Sequence, residues 1–234
     1  MIRIMCLDPV TLGTTADELA YIGKYLDKDT ALFVDGIKEG PHTIQCEYDE
    51  AMAQPAVIKL CQKAESEGIQ GIFVNCFGDP GVRAAREVVK IPVFGGFEPV
   101  MNIALGVGDK IAILTVLDNV LPLINNNVAK AGLKDRVVCV KSVGIPVDQL
   151  TQKEKLVAAL VEQGKKAITE NDAQVIVLGC TAMIDVAEEV EQQLKMAGYD
   201  VPVLEAAQTG VKMVELFASM GISHSRLTYR PLPQ

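Results

Sequence analysis

Short, continuously apolar runs alternate along the chain with longer segments whose apolar positions recur at helical spacing. The short runs predict eight strands, at residues 2–7, 31–37, 71–77, 91–96, 110–116, 137–143, 173–180 and 201–204. A helix is predicted after each strand, at residues 15–26, 49–67, 80–89, 98–108, 118–131, 151–170, 183–197 and 207–220. Thr14 or Thr15 is expected to cap the first of these helices. Regular alternation of strands and helices predicts an α/β fold with parallel sheets covered by helices on both faces.

The second half of the chain repeats the first. Four segments correspond in order, with offsets of about 104–110 residues: 2–8 with 110–116, 31–37 with 137–143, 71–79 with 175–183, and 92–105 with 202–216. Any two buried strands look alike, but a shared order at a nearly constant offset indicates two similar α/β halves.

Cys76 and Cys180 occupy the same place in the two repeats, at the carboxyl end of a buried strand and before a turn and a helix. Ligands of parallel α/β sheets bind at the carboxyl ends of strands. A helix N-terminus there is expected to lower the pKa of a thiol from about 8.5 towards neutral. Two halves facing each other would place one cysteine on each side of a central cleft.

Two opposed cysteines can invert a stereocentre next to a carbonyl group. A thiolate removes the proton from one face of the carbon, and a thiol returns a proton to the other face. Backbone N–H groups near the developing enolate would stabilise its charge. No electrons are exchanged, so we expect no cofactor.

Composition excludes several classes of function. Of the 234 residues, 49% are hydrophobic and 22% charged, and the formal net charge is −8, so we expect a globular chain. An acidic chain without a basic stripe argues against nucleic-acid binding. No apolar run reaches the roughly 20 residues of a membrane span, and residues 1–12 are a poor signal peptide. We therefore expect a cytoplasmic protein that acts on a small molecule.

Other catalytic and ligand-binding motifs are missing. The six cysteines form no CxxC pair and the chain has only two histidines, His42 and His224, so we expect neither a metal site nor a disulfide framework. The GVGDK segment at 106–110 precedes a strand, unlike a dinucleotide fingerprint. Neither a phosphate-binding P-loop nor a G-x-S-x-G motif is present.

The two cysteine motifs resemble those of a known family. Residues 75–81, Asn-Cys-Phe-Gly-Asp-Pro-Gly, are similar to the first cysteine motif of hydantoin and allantoin racemases. Residues 178–183, Leu-Gly-Cys-Thr-Ala-Met, resemble the second motif of the wider aspartate/glutamate racemase superfamily. Gly40-Pro41, residues 48–51 and Pro55 also resemble the hydantoin racemase group, and the likeness covers nearly the whole chain.

This resemblance implies two pseudo-symmetric lobes with the active site in the cleft between them, the first formed by residues 1–97 and 208–234 and the second by 98–207. It implies that Cys76 and Cys180 are the acid–base pair and that the enzyme is a homo-oligomer. Asn75, Thr115 and Thr181 would hydrogen-bond the substrate's carbonyl or carboxylate. The remaining residues implied at the substrate are Asp8, Pro9, Phe77, Gly78 and Ala182.

Two departures from the family leave the substrate open. Hydantoin racemases usually carry an Asn-Pro-Asn loop where this chain has Leu7-Asp8-Pro9-Val10, and often Gly-Cys-Ala-Gly-Met where it has Gly-Cys-Thr-Ala-Met. The main prediction is a cofactor-independent racemase of a 5-substituted hydantoin or allantoin-like compound. The alternatives are an amino-acid racemase for aspartate or glutamate, a decarboxylase or cis–trans isomerase of the same superfamily, and a non-catalytic small-molecule-binding protein.

Several residues also have ordinary structural interpretations. Cys6 lies inside an apolar strand and is expected to pack in a core, and the remaining cysteines, Cys46, Cys61 and Cys139, are expected at packing or surface positions. Asp79 and Pro80 would shape the turn into the following helix. Asn75 could equally be a structural hydrogen-bond former.

Overall fold

A computed structural model describes residues 1–231 of the chain. The strands are β1 (Ile2–Asp8), β2 (Thr30–Gly36), β3 (Gly71–Val74), β4 (Val93–Phe94), β5 (Ile111–Thr115), β6 (Val137–Ser142), β7 (Val175–Leu178) and β8 (Val203–Glu205). The α-helices are α1 (Ala16–Ile22), α2 (Glu47–Ser66), α3 (Val82–Val88), α4 (Phe97–Val107), α5 (Leu121–Lys130), α6 (Lys153–Asn171), α7 (Ala187–Met196) and α8 (Ala206–Ser219). Within this described range, none of the helices combines the length and apolarity needed to cross a membrane.

The chain forms two compact units. The first contains Met1–Ile44, Tyr48–Pro99 and the chain from Ala207 onwards, and the second contains Gln45–Glu47 and Val100–Ala206. Helix α4 therefore begins in one unit and continues in the other.

Each unit contains its own four-stranded parallel sheet. The strand order is β2-β1-β3-β4 in the first unit and β6-β5-β7-β8 in the second. Ile4 pairs with Gly71 between β1 and β3, and Ile111 pairs with Val175 between β5 and β7. The two sheets thus have the same topology, and the first strand of each repeat lies in an inner position. The predicted α/β fold of two pseudo-symmetric lobes is confirmed.

Burial explains why the inner strands are continuously apolar in the sequence. All positions of β3, β5 and β7 are buried, because helices cover both faces of a parallel sheet. The edge strands β2 and β6 are only partly buried and tolerate polar residues such as Asp35 and Lys141.

The last helix of the second repeat, α8, packs in the first unit against β3. Gly210 faces the ring of Phe73 so closely that a Cβ atom at this position would overlap the ring. Gly71 in β3 approaches Val214 of α8 in the same way. On the same helix, the buried carboxylate of Glu215 accepts the Asp27 N–H at 2.9 Å. Two glycines thus allow close contact between the helix and the sheet.

The helix predicted at 183–197 starts four residues later than expected. It begins at Ala187, because Asp185 has a left-handed backbone, with φ of 57°. The first helix is also shorter than predicted and passes into a 3-10 turn at Gly23–Tyr25. Of the two candidate caps, Thr15 forms a capping box with Glu18.

Candidate active site

The two sheets end in the same way next to their cysteines. In the first unit, the N–H of Asn75 donates to the carbonyl oxygen of Leu7, with an N–O distance of 2.8 Å. In the second, the N–H of Gly179 donates to the carbonyl oxygen of Leu114 at 2.7 Å. In both units the next residue in the sequence is a cysteine. Each thiol therefore follows directly on the last hydrogen bond between two inner strands.

Cys76 lies in a tight turn at the end of β3. Its N–H donates to the carbonyl oxygen of Val74 at 2.7 Å, and its own carbonyl oxygen accepts the N–H of Gly96 at 3.0 Å. The N–H of Gly78 points at the Cys76 sulfur, with a distance of 3.4 Å. The side chain is half-buried. The backbone thus fixes the direction of the thiol from both sides of the turn.

Asp8, Thr14 and Asn75 form a polar network beside this turn. The N–H and hydroxyl of Thr14 donate to the two carboxylate oxygens of Asp8, at 2.8 and 2.6 Å. The amide nitrogen of Asn75 donates to Asp8 at 3.3 Å and to the Thr14 hydroxyl at 3.0 Å. The two acceptor atoms lie 2.6 Å apart, so one N–H of the Asn75 side chain is shared between them. Asn75 thus has a structural role at this strand end, and its expected hydrogen bond to the substrate stays a prediction.

Asp8 is a buried residue, only 4% exposed. Burial raises its pKa above the usual value, whereas the hydrogen bonds from Thr14 and Asn75 act in the opposite direction. The nearby charge of Glu18 adds to the rise. Pro9 follows as a buried residue. Asp8 therefore holds the end of β1 to the residue that precedes Cys76.

Cys180 has a different electrostatic environment from the one expected for it. Burial raises the pKa of its thiol to about 11, and the N–H groups of Ala182 and Met183 lower it only in part. The N–H of Met183 also donates to the carbonyl oxygen of Cys180 at 3.0 Å. The expectation of a thiol with a lowered pKa is wrong for Cys180, because the helix begins only at Ala187 and burial dominates.

Thr115 in the second unit has the place that Asp8 has in the first. Its fully buried hydroxyl group donates to the carbonyl oxygen of Gly179 at 3.1 Å. Thr115 thus ties the end of β5 to the residue before Cys180, just as Asp8 ties β1 to Asn75. Its hydroxyl proton is used within the protein. Thr181, the next residue after the cysteine, is buried at 6% exposure.

The structure groups the predicted site residues by sheet. At the carboxyl end of the first sheet lie Asp8, Pro9, Asn75, Cys76, Phe77 and Gly78, and at that of the second lie Thr115, Cys180, Thr181 and Ala182. Phe77 is buried and packs edge-to-face on Phe97, with ring centroids 5.5 Å apart. Gly78 is buried and Ala182 half-buried.

Three polar residues belong to these strand ends although the sequence did not place them there. They are Thr14, Asp79 and Glu205. For Thr14 the sequence held a weak indication. A helix needs only one capping hydroxyl, so one residue of the Thr14-Thr15 pair was available for another contact. Asp79 was predicted to be a turn residue within the first cysteine motif at residues 75–81, and nothing in the sequence singled out Glu205.

The other candidate groups have structural positions. Cys6 and Cys61 are fully buried in the core as expected of such thiols, and burial raises the pKa of Cys61 to about 12. Nε2 of His224 accepts the N–H of Val93 at 2.9 Å, and burial lowers its pKa to about 4. Over residues 1–231, no three His, Cys, Asp or Glu side chains are grouped to hold a metal ion.

Two α/β units with the same strand order, each with a cysteine two residues after the end of its third strand, define a two-lobed class of proteins. Comparison with known proteins identifies that class. The Asp/Glu/Hydantoin racemase family model matches residues 11–214. The chain belongs to this family, and within it to the hydantoin racemase branch. It is therefore a racemase, an enzyme of the isomerase class.

The most informative relatives cover almost the whole chain. A hydantoin racemase of Pseudomonas sp. (strain NS671) is 33% identical over 97% of this chain and 91% of its own length. The structure of an allantoin racemase from Klebsiella pneumoniae is similar with a TM-score of 0.87, at 27% identity over 100% of this chain and 95% of that one. An allantoin racemase from Pseudomonas fluorescens has the same TM-score at 25% identity, over 100% of this chain and 98% of that one.

Proposed function

We propose that this racemase inverts the stereocentre of a 5-substituted hydantoin or an allantoin-like compound, with Cys76 and Cys180 as acid and base. The observation that carries the proposal is the equivalent position of the two cysteines. Each follows the last hydrogen bond between the inner strands of its own sheet. The relatives support the substrate class, since they are a hydantoin racemase and two allantoin racemases.

The proposed reaction is a proton exchange at carbon. The thiolate of one cysteine takes the proton from the stereocentre, which leaves an enolate and a neutral thiol. The second cysteine, a thiol, donates a proton to the opposite face of that carbon and becomes a thiolate. Atoms and charge balance and no electrons are transferred, so the reaction needs no cofactor. The mechanism requires one sulfur on each face of the substrate carbon.

The electrostatics of Cys180 support an assignment of roles in the substrate-free enzyme. A thiol whose pKa is about 11 is protonated at neutral pH and can serve as the acid. In the first turnover of the substrate-free enzyme, Cys76 would then be the base. The N–H groups of Ala182 and Met183 favour the thiolate that Cys180 becomes after it gives up its proton. The two roles exchange when the other enantiomer reacts.

The test is racemisation of a 5-substituted hydantoin and of allantoin in D₂O, measured by chiral chromatography and by loss of the proton signal of the stereocentre. We expect Cys76→Ser and Cys180→Ser each to lower the rate of inversion by at least about 10³-fold, because a serine hydroxyl is a far weaker acid than a thiol and is not ionised to a base near neutral pH. Protein treated with a chelator and passed over a desalting column should keep its rate.

The matched control is Cys139→Ser. Cys139 is half-buried in β6 and lies away from the strand ends that carry the other two cysteines. This variant should racemise at the parent rate. Parent-like inversion by both Cys76→Ser and Cys180→Ser would rule out the two-cysteine mechanism. Turnover of free aspartate or glutamate, without turnover of either ureide, would assign the substrate to the amino acids instead.

The homo-oligomeric state and the cytoplasmic location expected from the sequence are part of this proposal. Size-exclusion chromatography with light scattering tests the first. An elution mass of about one chain, near 25 kDa, would contradict it.

A further inference from the structure

Each unit has a corner where the chain leaves its last strand and enters the next helix. Phe94 of β4 pairs with β3, and Leu204 of β8 pairs with β7 in the equivalent register. The residues that follow, Gly95 and Glu205, therefore occupy the same position in the two units. One is the smallest residue and the other a buried carboxylate with 6% exposure.

In the first unit, a carboxylate reaches this corner from the cysteine loop. Oδ1 of Asp79 accepts the N–H of Phe97, the first residue of α4, at 3.0 Å, and the N–H of Glu98 is a further donor. A Cβ atom on Gly95 would overlap Asp79 Oδ1, so the glycine makes room for the carboxylate. Asp79 holds a left-handed backbone, with φ of 58°, which is unfavourable for a residue other than glycine.

In the second unit, the connection runs in the opposite direction. Glu205 lies at the corner, and its Oε1 accepts the N–H groups of Val186 and Ala187, each at 3.0 Å. Ala187 is the first residue of α7, and Val186 ends the loop that begins at Cys180. In both units a carboxylate therefore occupies the same corner and joins the cysteine loop to it. The carboxylate comes from the loop in one unit and from the corner in the other.

The connection leads directly to Cys76. The carbonyl oxygen of Cys76 accepts the N–H of Gly96, the residue before Phe97, at 3.0 Å, and it is approached by the N–H of Asp79 at 3.4 Å. If the Asp79 side chain were absent, the loop would lose its hydrogen bonds to the first turn of α4 and would keep the Cys76–Gly96 hydrogen bond and the contact of Phe77 with Phe97. A displacement of about 1 Å at a reacting group can slow catalysis by about 10²-fold.

We propose that Asp79 and Glu205 are positioning residues, each of which fixes the cysteine of its own unit by joining the cysteine loop to the corner after the last strand. The inference rests on the proposed function for its effect on catalysis, but its geometric part concerns each cysteine separately. It predicts that loss of Asp79 disturbs Cys76 and leaves Cys180 unchanged, and that loss of Glu205 does the reverse.

The protonation state of Asp79 supplies a conservative variant. Burial raises the pKa of Asp79 to about 8, Glu98 adds to the rise and Arg86 opposes it. The group is therefore largely neutral at pH 7 and acts mainly as a hydrogen-bond acceptor. An asparagine provides the same acceptor oxygen, so Asp79→Asn should preserve the connection. Asp79→Gly removes it and fits the left-handed backbone without strain.

The experiment measures alkylation of Cys76 and Cys180 by iodoacetamide from pH 6 to 11, resolved by peptide mass spectrometry, together with kcat and KM. We expect Asp79→Gly to change the alkylation rate of Cys76 by at least about 5-fold and to lower kcat by about 10–100-fold with a smaller change in KM. Asp79→Asn should stay within about 3-fold of the parent. Glu205→Ala should change the alkylation of Cys180 and leave that of Cys76 unchanged.

Two further variants keep the test decisive. Gly95→Ala keeps the aspartate but pushes its carboxylate away from the corner, so it should reproduce the selective effect on Cys76. It replaces Asp79→Gly in the test if that variant does not fold. Glu215→Gln alters a buried carboxylate of α8 that bonds to Asp27, and it should lower the melting temperature without changing either alkylation profile.

The positioning inference would be overturned if Cys76 and Cys180 were alkylated in folded Asp79→Gly and Glu205→Ala proteins at the same rates as in the parent protein. Equal disturbance of both cysteines by either variant would also overturn it. A parent protein that racemises none of the substrates would instead contradict the proposed function, and the alkylation profiles would still decide whether Asp79 and Glu205 position the thiols.

Discussion

Burial and hydrogen bonding oppose each other at the Cys180 sulfur. Burial removes the water that would stabilise a thiolate, while two backbone N–H groups, from Ala182 and Met183, stabilise it in part. Burial is the larger effect, so the thiol keeps its proton at neutral pH. A substrate that brings positive or hydrogen-bonding groups to this thiol would lower its pKa further.

The raised pKa predicts how fast Cys180 reacts with an alkylating reagent. Only the thiolate attacks iodoacetamide, and at pH 8 a thiol of pKa about 11 is about one-thousandth ionised. We expect the alkylation rate of Cys180 in the substrate-free enzyme to rise about tenfold per pH unit between pH 8 and 10. Peptide mass spectrometry after short exposures measures this rate. A plateau below pH 9 would show that the thiol is not held in the protonated form.

The sequence and the structure differ most in the elements around the cysteines. The strands and helices are in the predicted order, since apolar periodicity reflects burial, which both halves of the chain repeat. The start of α7 follows the left-handed Asp185, and Glu205, from a strand about 20 residues away, accepts the N–H groups of Val186 and Ala187 there, so it could not be predicted from the apolar pattern. No local signal near residue 183 carries that information. A helix end that depends on a distant carboxylate is invisible to periodicity.

At the scale of elements, the contact of α8 with β3 gives a stability prediction. A Cβ at Gly210 would overlap the ring of Phe73, so Gly210→Ala should lower the free energy of unfolding by about 1–3 kcal/mol. Urea denaturation followed by circular dichroism measures the change.

Gly106→Ala is the matched helix control for this prediction. Gly106 is exposed in α4, and a Cβ there would meet no atom within 4 Å. Alanine has the higher helix propensity, so this variant should be neutral or stabilising by up to about 1 kcal/mol. Equal stabilities of the two variants would show that α8 does not pack closely on β3.

For the whole molecule, buried carboxyl groups determine part of the pH dependence of stability. The pKa of Asp79 is raised to about 8 in the folded protein, against about 3.9 in an unfolded chain. Between these values the folded state binds more protons than the unfolded state, so stability falls as the pH rises. The contribution of Asp79 is fully present below about pH 4 and is lost as the pH passes through about 8.

Asp79→Asn should therefore change the slope of stability against pH. The variant cannot lose a proton, so its free energy of unfolding should decline less between pH 5 and 9 than that of the parent. Its stability relative to the parent should be greater at pH 9 than at pH 5. Urea titrations at several pH values measure this difference. Parallel curves for the two proteins would mean that Asp79 has an ordinary pKa in the folded state.

By itself, the sequence determined the α/β architecture and the internal repeat, and it singled out Cys76 and Cys180 from six cysteines as the proposed acid–base pair. Each of these follows from local patterns, namely apolar runs, their spacing and two short motifs. Tertiary structure alone decided what surrounds the thiols. It turned Asn75 and Thr115 towards protein acceptors, raised the pKa of Cys180 by burial, and brought Asp79 and Glu205 to equivalent corners. Burial and hydrogen bonding depend on residues far apart in the chain, and those contacts exist only once the sheets have formed.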